Sequence, residues 1–254
     1  MTNRFEGRVA AITGAGGGLG RAIAAKMAAE GAKLALFDMD PDRLADTAAL
    51  CPGAIQVVGN STSAADLARF ADAARAAFGP AEFLLPAAGI VGKAGAAIDN
   101  EEADFDRLFA VNVKGPWLAC KTFVPQLRER GGGAIVLFSS TAGLAGSPTL
   151  SLYSASKGAI TLMTKAMALN HAPNNIRVNC IAPGTIEGPM TDESFRIVGD
   201  EAAQLERAKF MLSGIPLGRF GKPVEIAAAV TYLLSDDAAF TTGIALPVDG
   251  GRLL

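Results

Sequence analysis

The sequence predicts an α/β fold: a doubly wound parallel sheet of about seven strands with helices on both faces, in one domain over residues 1–254. Three observations carry this. Short apolar runs alternate with longer helical patterns, the order that builds parallel strands joined by crossover helices. A glycine-rich turn separates the first run from the first helix. The 254 residues suit one α/β domain with a substantial core.

Val9-Ala10-Ala11-Ile12 has the length and apolarity of a buried strand. Thr13-Gly14-Ala15-Gly16-Gly17-Gly18-Leu19-Gly20 follows, then a helix over 21–30 that Gly31 stops. A second strand over 33–37 ends at Asp38. Further strand-like runs lie at 55–58, 82–85, 134–138, 176–180 and 244–248. Helical patterns cover 64–78, 104–130, 153–170 and 224–234. Gly131-Gly132-Gly133 closes the longest of these, and Pro247 assigns the last strand to an edge. Crossovers are expected to be right-handed. The chain shows no linker, repeat or second domain.

Composition removes several function classes. A net charge of −2 provides no basic field for nucleic acid. No apolar run reaches membrane-span length, and the residues before the first strand carry no signal-peptide segment. Cys51, Cys120 and Cys180 are scattered and odd in number, which suggests neither a disulfide framework nor a metal site. A reducing cytoplasm is the expected compartment. His171, the only histidine, reads as the C-terminal residue of a helix.

Strand, glycine turn and helix in that order form a dinucleotide-binding context, so the fold is Rossmann-type. The glycines let the backbone approach a pyrophosphate, and the helix start turns free N–H groups toward it. Asp38 can accept hydrogen bonds from an adenosine ribose diol and would repel a 2′-phosphate. No Arg or Lys stands at Met39 or Asp40. NAD is therefore expected rather than NADP. Tyr153 and Lys157 lie one helical turn apart, roughly 6 Å on the same face. A phenol ionises near pH 10, and a nearby ammonium lowers that value, so the pair is expected to trade protons near neutrality.

With these residues in hand, the chain resembles the short-chain dehydrogenase/reductase family over its whole length. Gly14, Gly18 and Gly20 match that family's TGxxxGxG, and Tyr153 and Lys157 its YxxxK. Ser140 stands thirteen positions before the tyrosine. Asn112, Pro183-Gly184 and Val248-Asp249-Gly250-Gly251 match further family positions. The resemblance implies a catalytic set of Asn112, Ser140, Tyr153 and Lys157. It implies cofactor contacts from Gly14, Gly18, Leu19, Gly20, Asp38, Asn60, Ser61, Ala88, Gly89, Tyr153, Lys157, Pro183, Gly184 and Ile186, and no metal. In that scheme Tyr153 exchanges the alcohol proton and Ser140 steadies the substrate oxygen. Lys157 lowers the tyrosine pKa and reaches the nicotinamide ribose. Asn112 holds a water linking Lys157 to solvent. Ser139, the neighbouring alternative to Ser140, should face the other side of the strand.

Three places depart from the family pattern. Pro86-Ala87-Ala88-Gly89 replaces NNAG, losing side-chain braces and one backbone donor. Asn60-Ser61 stands where an Asp often meets the adenine amine, and the Asn60 carbonyl is the expected replacement acceptor. Gly188 replaces a carboxamide-binding Thr, leaving Thr185 or Thr191 as substitutes.

The stretch 186–217 interrupts the rhythm and reads as a substrate lid, with an amphipathic helix over 201–212 and hinges at Gly188, Gly199 and Gly214. Family position assigns Val91, Thr141, Leu150, Thr185, Met190 and Met211 to the pocket. Their apolar character favours a secondary alcohol or ketone with hydrocarbon bulk. The expectation is an NAD(H)-dependent alcohol/ketone oxidoreductase, assembled as a homotetramer. The alternatives are a 3-oxoacyl thioester (acyl-carrier-protein) reductase and a non-catalytic dinucleotide sensor.

Overall fold

A computed structural model describes residues 3–196 and 200–254. Seven parallel strands form one sheet in the order β3-β2-β1-β4-β5-β6-β7. They are β1 (Val9–Thr13), β2 (Lys33–Asp38), β3 (Ile55–Val58), β4 (Phe83–Pro86), β5 (Gly133–Phe138), β6 (Ile176–Pro183) and β7 (Ala245–Val248). The order reverses between β1 and β4, the crevice where doubly wound sheets hold ligands. β7 is an edge strand and carries Pro247, as expected.

The helices are α1 (Gly18–Ala29), α2 (Pro41–Ala49), α3 (Ala64–Phe78), α4 (Glu102–Phe109), α5 (Gly115–Glu129), α6 (Ala142–Ala145), α7 (Ser151–His171), α8 (Pro189–Arg196), α9 (Glu201–Ser213) and α10 (Pro223–Leu234). A π turn over Ala110–Lys114 joins α4 to α5, so the predicted long helix is interrupted where Asn112 sits. The alternation of side chains along each strand divides the core in two. Val9 and Ala11 of β1 face a cluster with Phe37, Phe70, Phe123 and Ile160. Ala10 and Ile12 face another with Ile23, Met27, Phe83 and Leu233. With both faces covered, the central strands β1, β4 and β5 are nearly continuous apolar runs, whereas the edge strands β3 and β7 are partly exposed.

Pro86 has a visible consequence. Ala87 N donates to Thr13 O on β1, so the neighbouring position Pro86 would aim its N–H at β5. That donor does not exist. The β4–β5 register accordingly pairs Phe83 with Ala134 and Leu84 with Ile135, and stops there. β5–β6 pairs six residues, from Gly133 to Phe138.

Candidate active site

The glycine turn is shaped by close backbone approaches. Gly14 has φ +69°, and a Cβ on it would lie 2.5 Å from Ala88 N; one on Gly20 would lie 2.2 Å from Gly14 O. The turn therefore folds onto the loop after β4. Gly17, the N-cap of α1, offers no side-chain cap to the first-turn N–H groups. Those donors at Gly18, Leu19 and Gly20 are suited to a pyrophosphate, so the cradle fits a dinucleotide.

Asp38 ends β2 with its carboxylate accepting from Gly16 N at 2.9 Å and Asp40 N at 3.1 Å. A carboxylate has roughly four acceptor sites, so it keeps capacity for a diol. Asp40, not Asp38, caps α2. Arg43, which local sequence did not bring to this corner, packs its Cβ beside Gly16 and pairs with Asp40 at 3.3 Å.

Asn60 does not meet expectation. Its side-chain oxygen accepts from Thr62 N and Thr62 Oγ1, both at 2.9 Å, closing an Asx turn. Both lone pairs are thereby used, and the side chain offers no acceptor to an adenine amine. Ser61 lies against Gly115 at the start of α5. Near Gly188, the Thr191 hydroxyl donates to Ile186 O, which ties it to the loop. Gly184 packs against Asp249, joining the ends of β6 and β7.

The strand ends bring Ser140, Tyr153 and Lys157 together. The two adjacent serines part company: Ser139 is buried and its hydroxyl donates to Lys157 O at 2.9 Å. Ser140 accepts from Ala142 N at 3.2 Å and hydrogen-bonds Tyr153. Lys157 is buried, donates from Nζ to Phe138 O at 2.8 Å, and lies 5.7 Å from the Tyr153 ring centre. Burial lowers its pKa to about 8.

This corrects the expected direction for Tyr153. Burial pushes its phenol above the ordinary value, and only the Ser140 hydrogen bond pulls it back. The ammonium lies over the ring and donates to Phe138 O, so its charge faces the ring and not the phenolic oxygen.

Asn112 is also placed differently from its expected use. Nδ2 donates to Ile90 O at 2.8 Å and to Ser156 Oγ at 3.1 Å, while Oδ1 accepts from Ile90 N at 2.9 Å. Ser156 in turn donates to Tyr153 O at 2.7 Å. The amide braces the loop after β4 against α7 and is not a free water holder. The π turn buries it there. Sequence reading also missed Gly143, where a Cβ would lie 2.6 Å from Lys157 C, so α6 rests directly on the lysine's backbone. A glycine within a helical turn just after Ser140 was the available signal.

Pro189 opens α8 over Gly18, and Leu217 N donates to Gly250 O beyond β7. The described residues of 186–217 thus run along the carboxyl edge of the sheet, with α9 matching the predicted helix and α8 added. Gly188 has φ +138°, whereas Gly214 has φ −90° and needs no glycine; Gly199 lies outside the described residues. Among the described residues no cluster of metal-ligating side chains occurs, and no helix is long and apolar enough to cross a membrane. His171 ends α7 and meets Arg128 at 3.4 Å.

Residues 14–252 match the family model described as enoyl-(acyl carrier protein) reductase. The chain is 42% identical to 2-(S)-hydroxypropyl-CoM dehydrogenase 3 of Xanthobacter autotrophicus, over 99% of this chain and 98% of that one. Its fold is similar to crystal structures of levodione reductase (TM-score 0.94, 33% identity, 98% of each chain). It is similar also to NAD+-bound xylitol dehydrogenase (TM-score 0.92, 35% identity, 97% of this chain and 99% of that one). On this match and this architecture, the chain belongs to the short-chain dehydrogenase/reductase family of oxidoreductases.

Proposed function

We propose that this protein is an NAD(H)-dependent oxidoreductase that interconverts a secondary alcohol and a ketone. The observation that carries this is the grouping of Ser140, Tyr153 and Lys157 at the sheet edge that holds the uncapped start of α1. The cofactor supplies or accepts the hydride. Gly18, Leu19 and Gly20 hold its pyrophosphate, and Asp38 its adenosine ribose. Ala88, Gly89, Pro183, Gly184 and Ile186 border its path, and Ser61 stands on the adenine side. Lys157 orients the nicotinamide ribose. In reduction, Tyr153 gives its phenolic proton to the carbonyl oxygen while Ser140 donates a hydrogen bond to that oxygen. In oxidation the proton returns along the same line. Asn112 acts by bracing the loop before Val91 against α7.

Relatives named for a hydroxypropyl compound and for levodione support the alcohol–ketone reading, and the NAD+-bound xylitol dehydrogenase supports NAD. Three free, buried cysteines suit a reducing cytoplasm. Trp117 on α5 and Leu162 and Leu169 on α7 are exposed, which supports burial against further copies in a homotetramer. The second reading, a 3-oxoacyl thioester reductase, draws on the acyl-carrier description of the family model and on Arg43 beside Asp38.

The test follows NADH absorbance with a panel of secondary alcohols and ketones. NAD-linked turnover that Tyr153→Phe abolishes, with NADH binding retained, is expected. Wild-type rates from that variant, or no turnover of any member, overturn the reading.

A further inference from the structure

The helix α9 turns an arginine inward. Ala203, Gln204, Arg207, Ala208, Met211 and Leu212 form its half-buried stripe, while Leu205 and Phe210 are exposed by 56% and 75%. Four of those six are apolar and the helix's other charges, Glu201, Glu206 and Lys209, face outward as a covering helix requires, so Arg207 is the one charge of α9 turned inward. The Nε of Arg207 is buried and finds no hydrogen-bond partner. The adjacent carboxylate, Glu206, lies on the exposed side and is taken by Lys209 at 2.8 Å. Arg219, just past the excursion, is paired with Glu225 at 2.6 Å. Arg207 has no such carboxylate among the described residues. A buried, unpartnered guanidinium nitrogen is costly, and an acceptor from outside the chain is what relieves it.

The helix stands at the right place for that acceptor to be a substrate. It is held between α8, whose Pro189 overlies Gly18, and the segment that pairs Leu217 with Gly250. Both anchors are on the carboxyl edge that carries Ser140 and Tyr153. We propose that Arg207 binds the anionic end of the substrate, a carboxylate or sulfonate borne on the hydrocarbon beyond the reacting carbon. A planar guanidinium matches such an oxyanion with two parallel N–H bonds. Met211, one turn further along the stripe, offers adaptable apolar contact to the linking chain. The inference rests on the alcohol–ketone reading and adds charge to a pocket whose residues, assigned by family position, are largely apolar.

The test uses the full-length protein saturated with NAD, where a ketone binds and cannot react because both partners are oxidised. Methyl ketones of increasing chain length are titrated calorimetrically, each as the terminal carboxylate, the sulfonate and the neutral methyl ester. The best anion is expected to bind at least about tenfold more tightly than its ester. Arg207→Gln erases that preference and Arg207→Lys keeps part of it, which guards against a variant that fails to fold. Equal affinity for anion and ester across the series overturns the inference, as does an undiminished preference in Arg207→Gln. A loss of NAD affinity in place of ketone affinity also overturns it, since the guanidinium then faces the dinucleotide. Failure of the parent reading is separate: no alcohol would then reduce NAD at all.

Discussion

The Lys157 ammonium donates to the Phe138 carbonyl at 2.8 Å and stands 5.7 Å from the centre of the Tyr153 ring. It therefore presents its charge to the ring face, while the phenolic oxygen meets Ser140. The pair is poised as a neutral acid beside a cation that burial has made weakly basic, not as a ready phenolate.

That arrangement sets a pH dependence. Tyr153 in the free protein ionises above its ordinary value because burial disfavours the anion. Oxidation needs the phenolate and reduction the phenol. The kcat/KM for alcohol oxidation is expected to keep rising with pH through neutrality into the alkaline range, while that for ketone reduction stays level at neutral pH. The quantity to measure is kcat/KM for the alcohol at saturating NAD, which reports the protein–cofactor complex that meets the alcohol. An oxidation profile already flat by about pH 7 would show a phenol ionised in that complex, and would contradict the burial argument.

Lys157 gives a prediction in stability. Its folded pKa of about 8 lies below the ordinary lysine value of 10.5. Between the two, the unfolded chain binds more protons, so this group's contribution to stability rises with pH. In Lys157→Met the contribution is absent. Thermal melts of both proteins from pH 7 to about 10 should show the wild type gaining on the variant by up to about 3 kcal/mol, several degrees in Tm. Cys51 and Cys120, pushed up to about 11 and about 12 by burial, lose stability in the same range. They do so in both proteins and cancel in the difference. A gap that stays constant with pH would mean the ammonium is not desolvated.

Asp38 decides between the two nicotinamide cofactors in this reading. Its carboxylate, bound to Gly16 N and Asp40 N, stands where a 2′-phosphate would meet negative charge. Asp38→Ala should narrow the preference for NAD over NADP by at least about tenfold, seen in KM for each cofactor. Arg43, paired with Asp40 and packed beside Gly16, would then be the nearby cation for the phosphate. A wild type that already prefers NADPH would refute the role given to Asp38.

The central strands were legible because burial on both faces writes them as apolar runs, as in 9–12 of β1 and 134–138 of β5, while the edge runs at 55–58 and 244–248 kept enough apolar residues to show although they are partly exposed. The helix α2 was overlooked although Asp40 as N-cap and Pro41 at its first position announce it. The four residues of α6 are too few to show a period. Side-chain use was harder to read than placement. That Asn60 spends its oxygen on Thr62, or that Arg43 reaches Gly16, depends on turn and crossover geometry that residue identity does not specify. Tyr153 and Lys157 were found by spacing alone. Their pKa directions depended on burial and on Phe138, which spacing cannot report.

Asn112 separates a brace from a proton relay. Its amide makes three hydrogen bonds, two to the Ile90 backbone and one to Ser156, whose hydroxyl then holds Tyr153 O. Asn112→Ala would leave Ile90 N and O and the Ser156 hydroxyl short of partners. Each such loss costs about 1–3 kcal/mol, with partial relief by water, so a total near 3 kcal/mol is expected. For a chain of this size that is roughly a 6–12 °C fall in Tm. Asn112→Asp retains the acceptor for Ile90 N but not the donors, and should fall between the two. If Asn112→Ala melts with the wild type yet loses turnover, the residue works by carrying a proton and the bracing role fails. If both Tm and turnover fall together, in the order wild type, Asp, Ala, the loop after β4 is what Asn112 holds in place against α7.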